Sequence, residues 1–206
     1  MITKLKEYLK NNSAIKNIVL FCLMPSNQAR PRLWVKLLVN PLVHKTGKGA
    51  CIRRRSRIDT MPFNKFVVGD KSTIEDFSVV NNGVGDVIIG SNTRIGLSNV
   101  IIGPITIGNN VMTAQHVAFS GLNHGFEDIT LPPSLQPIST SQIIIEDDVW
   151  IGANAVIVAG IKIGKHAVIG AGSVVTKDVP AFSVAVGNPA KVIKKYDEAS
   201  KLWIKP

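Results

Sequence analysis

IEDDVW-IGANAV-IVAGIK-IGKHAV-IGAGSV-V, residues 145–175, sets an aliphatic side chain at every sixth position: Ile145, Ile151, Ile157, Ile163, Ile169 and Val175. Gly152, Gly164 and Gly170 each follow one of them directly. A six-residue period fits neither the 3.6-residue turn of a helix nor the two-residue alternation of a simple strand. It fits a parallel β-helix, in which each hexad is a short strand plus a corner and three hexads complete one coil. Working outward, the same beat appears at Ile89, Ile95, Ile101 and Ile107, and earlier at Val68, Ile74 and Val80. The fold class expected is therefore mainly β. It is a parallel β-helix of about five coils, with a helical, basic N-terminal segment and a short C-terminal cap.

The hexads prescribe their own packing. Aliphatic residues point inward and stack on their counterparts about 4.8 Å away in neighbouring coils. Gly, Asn and Asp at Gly108-Asn109-Asn110 and Gly152-Ala153-Asn154 suit tight corners. One coil cannot bury its own core, whereas a stack can.

Two irregularities interrupt the beat. Nine residues separate Val80 from Ile89, which predicts a small bulge around Asn81 to Asp86. A longer out-of-phase stretch, residues 120–142, carries Pro132, Pro133 and Pro137. It is too short for a domain and predicts a loop projecting from one corner of the column.

The 206 residues suit one domain with a sizeable core and a modest appendage. The apolar run Ile18 to Met24 is far shorter than the roughly 20 residues of a membrane-spanning helix. No small-residue cleavage pattern comes after it, so a secretory leader is not expected. Cys22 and Cys51 are too few for a disulfide framework. A cytoplasmic location is expected, with peripheral contact at the inner membrane face left open.

Charge divides the chain near Met61-Pro62. Residues 1–60 hold 13 Lys or Arg against Glu7 and Asp59, and the remaining residues hold 11 basic against 12 acidic. This gives three segments: a basic helical segment at 1–60, a β-helix at 61–190 with its loop at about 120–142, and a cap at 191–206. Leu5, Leu9, Ile15 and Ile18 suit an amphipathic helix over residues 2–20, and Pro25, Pro31 and Pro41 divide the next stretch into short helices or turns. Two readings of the basic segment stand side by side: a cap over the first coil with charge facing solvent, or attraction to anionic lipid headgroups or a phosphorylated glycan carrier. Nucleic acid is not expected, because no recognition motif or array of stacking aromatics accompanies the charge.

The stretch from His124 to Lys194 resembles the hexapeptide-repeat acyltransferases, and within them the maltose/galactoside-type and polysaccharide O-acetyltransferases. The residues that carry the resemblance are Asn123-His124-Gly125-Phe126-Glu127-Asp128, Asp148-Val149-Trp150-Ile151-Gly152-Ala153, Gly170 to Pro180, and Gly187-Asn188-Pro189-Ala190-Lys191. With the upstream hexads it covers about residues 66–195. The resemblance implies a left-handed coil, a homotrimer, and acetyl transfer from acetyl-CoA, as cosubstrate, to a sugar or glycan hydroxyl, as in surface polysaccharide assembly.

A sugar hydroxyl needs a positioned base, most often His, whose unperturbed pKa is about 6.5. The loop and the motif make His124 the expected catalytic base. Neither Cys fits an acyl-enzyme nucleophile, so direct transfer is expected. The resemblance places Ala153 and Ala171 along the pantetheine arm and Thr176 and Lys177 near the adenine and 3′-phosphate. It also places Lys194 on a phosphate and Trp150 in the same groove. Acceptor contacts are read more loosely, as Asn99, Asn123 and Glu127. Where many polysaccharide relatives carry an Asp-His pair before Asn-His, this chain has Gly121-Leu122. His116, eight residues before His124, lacks a third ligand partner, and no metal is expected. The rival readings are a xenobiotic or amino-acid acetyltransferase of the same fold, and a non-catalytic trimeric scaffold.

Overall fold

The computed structural model describes residues 12–26 and 28–206. Leu5 and Leu9 lie outside the described residues.

The hexads wind into a triangular column with three parallel sheets as its sides. Six strands make the first sheet, Lys45–Thr46, Phe66–Val68, Val87–Ile89, Ile105–Ile107, Ile143–Ile145 and Lys162–Ile163. The second begins at Cys51–Ile52 and the third at Arg57–Asp59, and each coil visits the three in turn. Six complete coils result, and a bridge from Ile163 to Val179 opens a partial seventh.

Inside, the beat becomes three ladders. Val68, Ile89, Ile107, Ile145 and Ile163 stack in the first sheet, and Val80, Ile101, Phe119, Ile157 and Val175 in the third. All ten are buried. The second ladder runs Ile74, Ile95, Thr113, Ile151, Ile169, Ala185. Thr113 and Phe119 keep the six-residue step after Ile107, so the beat continues until the projecting loop.

The corners differ in regularity. The first and second are tight turns with one residue in the left-handed region, among them Asn110, Asp148, His166, His116 and Asn154. His116 and His166 are thus corner residues, a conformation in which His is enriched. His166 also stacks on Phe182, with ring centroids 5.8 Å apart. The third corner absorbs every irregularity: Met61 to Lys65, the bulge at Asn81–Asp86, Gly103-Pro104 and the 120–142 loop. The bulge is clasped by buried Asn82, whose amide accepts from Met61 N and donates to the carbonyls of Met61 and Asn64.

The column exceeds the expected five coils because its first coil lies upstream of Phe66. The N-terminal helical part ends at Val43, and residues 45–59 form strands where a helical segment was expected to reach residue 60. Thr46, Ile52 and Ile58 keep the six-residue step. Arg53-Arg54-Arg55 occupies the second corner, where side chains face solvent and a charge run costs the core nothing.

The N-terminal helix, Ser13–Leu23, is capped by the Asn12 side chain accepting from Ile15 N. It ends ahead of Pro25, which disfavours helix in the residue before it. A π-helical turn, Val35–Val39, runs into a short helix, Asn40–Val43. This part docks through a few contacts. Val35 is buried, the buried Asn40 side chain donates to Thr60 O at 2.8 Å, and Asp59 meets Arg30 at 3.5 Å and Arg57 more closely. At the other end the chain continues the second sheet as antiparallel strands, Ala190–Asp197 and Leu202–Ile204, with Ala190 and Val192 packed against the core.

Candidate functional site

The loop at the third corner is a β-hairpin. Leu122–His124 pairs antiparallel with Ile138–Thr140, placing Asn123 opposite Ser139 and His124 opposite Ile138. Its base is wedged between coils: Gly121 N donates to Ile102 O, Ser141 N to Gly121 O, and Gly160 N to Ser141 O. A Cβ on Gly121 would lie 2.7 Å from Pro104 N, so only glycine admits this approach. The hairpin therefore leaves the column on a fixed footing.

Its tip is tied by Gln136, which sequence reasoning did not single out. The Gln136 side chain accepts from Asp128 N at 3.1 Å and donates to the carbonyls of Asp128 and Leu131, each at 2.8 Å. It is 8% exposed on an otherwise solvated loop. A glutamine between two prolines, Pro133 and Pro137, gives no signal of this in one dimension.

His124 stands exposed on the outgoing strand of this hairpin. Because successive strand residues face opposite ways, Asn123 points from the other face and does not orient the imidazole. Glu127 accepts from Phe126 N at 2.9 Å, and this backbone hydrogen bond holds its carboxyl below the usual range. Asp128 is lowered likewise by the hydroxyl and amide of Thr130. Glu127 is thus engaged by its own turn.

The expected donor contacts fall into two groups. Trp150 lies on the outer face of the second sheet, 49% exposed, beside Met112. The two line a shallow groove of about 550 Å³ with Arg94, Glu75, Leu97 and Gln115. Ala153 and Ala171 occupy successive second corners, where Gly172 N donates to Ala153 O and Gly152 fits against the Ala171 backbone. Lys194 is exposed on the antiparallel strand opposite Val184. Thr176 and Lys177, also exposed, sit at the third corner of the sixth coil, on the same side of the column as the hairpin.

One protomer therefore brings Thr176 and Lys177 to the edge that carries His124, but holds Trp150, Ala153 and Ala171 one side of the triangle away. At about 3.3 Å per residue, a strand and its corner residues span about 15 Å. Asn99 is corrected. It is fully buried at a second corner, where its amide donates to Thr113 Oγ1 at 2.5 Å and accepts from Val117 N at 2.6 Å. An asparagine consumed by the column cannot meet an acceptor. Among the described residues, no group of three His, Cys, Asp or Glu is placed to hold a metal ion.

Comparison with known proteins supports the resemblance. The family model described as hexapeptide repeat of succinyl-transferase matches residues 86–112 and 142–177, on either side of the hairpin. A 2,3,4,5-tetrahydropyridine-2,6-dicarboxylate N-acetyltransferase of Clostridium perfringens is 61% identical over 67 residues, 32% of this chain and 28% of the relative. Its counterpart in Staphylococcus aureus is 45% identical over 93 residues, 45% of this chain and 34% of the relative. The chain thus spans about a third or less of the curated relatives it matches. Among solved structures, a point mutant of AntD, an N-acyltransferase from Bacillus cereus, was solved with dTDP-4-amino-4,6-dideoxyglucose and coenzyme A. It superposes with a TM-score of 0.67 at 23% identity, over 78% of this chain and 89% of that one. The hexapeptide-repeat acetyltransferase VCA0836 of Vibrio cholerae, complexed with acetyl coenzyme A, gives 0.54 at 25% identity over 77% and 74%. The chain carries hexapeptide repeats over the matched residues and has the fold of a left-handed β-helix.

Proposed function

We propose that this hexapeptide-repeat protein is an acetyl-CoA-dependent acyltransferase that acetylates a hydroxyl of a sugar or glycan precursor, working as a homotrimer. The observation that carries the reading is the hairpin, which breaks the column at one corner and presents His124 free of any packing duty. The CoA-bound relatives support the donor, and the sugar nucleotide bound to one of them supports the acceptor class.

In this scheme the His124 imidazole takes the proton of the acceptor hydroxyl as its oxygen attacks the thioester carbonyl. A backbone N–H at a corner stabilises the oxyanion. The C–S bond then breaks, and the proton held by His124 passes to the departing thiolate. Ala153 and Ala171 leave room for the pantetheine arm, and Lys177 and Lys194 meet its phosphates. Two protomers are needed, because His124 and Ala171 lie at opposite ends of one side of the column.

That side supplies the contact. Beyond Arg57 of the first coil, the third sheet's outward row, Val79, Val100, Ala118, Val156 and Val174, stacks in register and is apolar. All-parallel sheets occur almost only with both faces covered. Packing a neighbour there would place its residues between the hairpin edge and the Ala171 edge. An amine acceptor is the second reading, favoured by the N-acetyl and N-acyl transfer named for the relatives.

Release of free CoA thiol from acetyl-CoA, followed with DTNB against short glycans, nucleotide sugars and amino sugars, tests both. Acetylation of a neutral sugar is expected. Turnover with the amino sugar alone would replace the hydroxyl, and none with any acceptor would leave a scaffold. His124→Ala should lower kcat at least about 100-fold with CoA binding retained.

A further inference from the structure

We propose that the N-terminal helical part docks on an anionic lipid surface, seating its apolar helix face in the headgroup region. Leu33, Trp34, Leu37, Leu38 and Leu42 recur at helical spacing along residues 33–43, and all five face outward. Leu38 is 67% exposed and Leu42 84%, while the same segment anchors itself to the column through buried Val35 and Asn40. The helix has thus turned its polar Asn40 inward and its leucines to the outside, the reverse of a helix that completes a core. Phe21, 60% exposed, extends the apolar surface on Ser13–Leu23, where the Arg32 guanidinium lies 4.9 Å from its ring centre and Arg32 Nε donates to Phe21 O.

Charge identifies the occupant. Residues 12–58 hold ten Lys or Arg and no Asp or Glu. Among the described residues, Lys16, Lys36, Lys45, Lys48 and Arg54 have no acidic partner within salt-bridge distance. Lys36 and Lys45 flank the apolar helix on one groove. A second copy offers no complement, since its matching face is equally cationic and residues 61–206 carry 11 basic against 12 acidic side chains. A sheet of anionic headgroups over acyl chains answers both features, charge at the rim and apolar side chains in the middle. The contact proposed is peripheral, and among the described residues no helix is long and apolar enough to cross a membrane.

Co-sedimentation of the full chain with vesicles tests this without any turnover assay, so it succeeds or fails independently of the proposed chemistry. Binding is expected to mixed phosphatidylcholine and phosphatidylglycerol vesicles and not to phosphatidylcholine alone, and it should weaken as salt rises. Replacing Lys36 or Lys45 by Gln should lower partitioning about fivefold for each engaged cation. Leu38→Glu with Leu42→Glu should lower it more than about tenfold, the Leu pair being exposed and dispensable to the column. A circular dichroism melt checks that the column still folds. On binding, indole emission should shift to the blue in the parent chain and much less in Trp34→Phe, which keeps Trp150 and Trp203. Equal binding to neutral vesicles, retained binding in the Leu pair, or no binding at all overturns the proposal. So does a Leu pair that changes only the oligomeric mass.

Discussion

Asn99 and His124 are both polar positions off the aliphatic beat, yet the fold gives them opposite fates. Asn99 turns into the column and completes the hydrogen bonding of Thr113 and Val117, whereas His124 is carried clear of it. A linear pattern marks both as polar and does not say which way a corner side chain turns. The His124 loop was legible because a long stretch leaves the beat there; the inward turn of Asn99 was not. Asn99→Ala should strand Val117 N, at about 1–3 kcal/mol, while the Thr113 hydroxyl keeps Gly96 N and Arg94 O. A protein of this size should lose roughly 2–4 °C of Tm per kcal/mol. A lowered Tm with unchanged acceptor KM is the expected result; a raised KM at unchanged Tm would return Asn99 to the acceptor site. Lys177 belongs to the same scale. It stands exposed on the hairpin's side of the column, and Lys177→Ala should raise the KM for acetyl-CoA more than it lowers kcat. Desphospho-CoA donors should then separate wild type from variant only weakly, because the phosphate contact would already be absent.

Among the elements, the short strands were the most legible, since six residues per step place every inward aliphatic. The first coil escaped because Thr46 is polar and because a run of arginines at a corner resembles a segment boundary. The antiparallel strands after Gly187 keep no hexad and were legible only as a tail. Outside the ladders, one coil is joined to the next mostly by corner chemistry, and Glu146 shows it. Its carboxylate meets Lys162 Nζ at 2.7 Å and accepts from Lys165 N at 2.7 Å, tying the fifth coil to the sixth. The Lys162 ammonium, then the Lys165 amide, hold the Glu146 carboxyl below its ordinary 4.5. As pH falls, the unfolded chain protonates this group first. Its contribution is therefore whole above about 4.5 and disappears as pH falls through the lower folded value. The pair is largely exposed and solvent screens it, so the effect is small. Glu146→Gln should melt slightly below wild type at neutral pH, and the two melts should converge in acid. A gap that persists at low pH would assign the difference to packing instead.

At the scale of the whole molecule, the division of labour comes from the triangle. The first sheet's outward row mixes Lys45, Thr106 and Lys162 with aliphatics, and the second carries Thr73 and Arg94 beside Met112 and Trp150. Only the third keeps an unbroken apolar row beyond its first coil, with Val100 38% and Val156 37% exposed in the single chain. Its two edges carry the hairpin with Lys177 and the Ala153–Ala171 corners, the two sets that one protomer holds apart. Closed cyclic packing against this side would cover the row and bring the two sets together across each contact. Sedimentation should therefore give a mass near three times the 22.2 kDa of one chain. Val100→Asp with Val156→Asp puts two carboxylates into that row without touching the inward ladders. The variant should sediment near 22.2 kDa, keep its cooperative melt and lose acetyl transfer, although His124 and Lys177 are intact. Full activity in a 22.2 kDa species would show that one column holds the whole site, and the apolar row would then need another explanation.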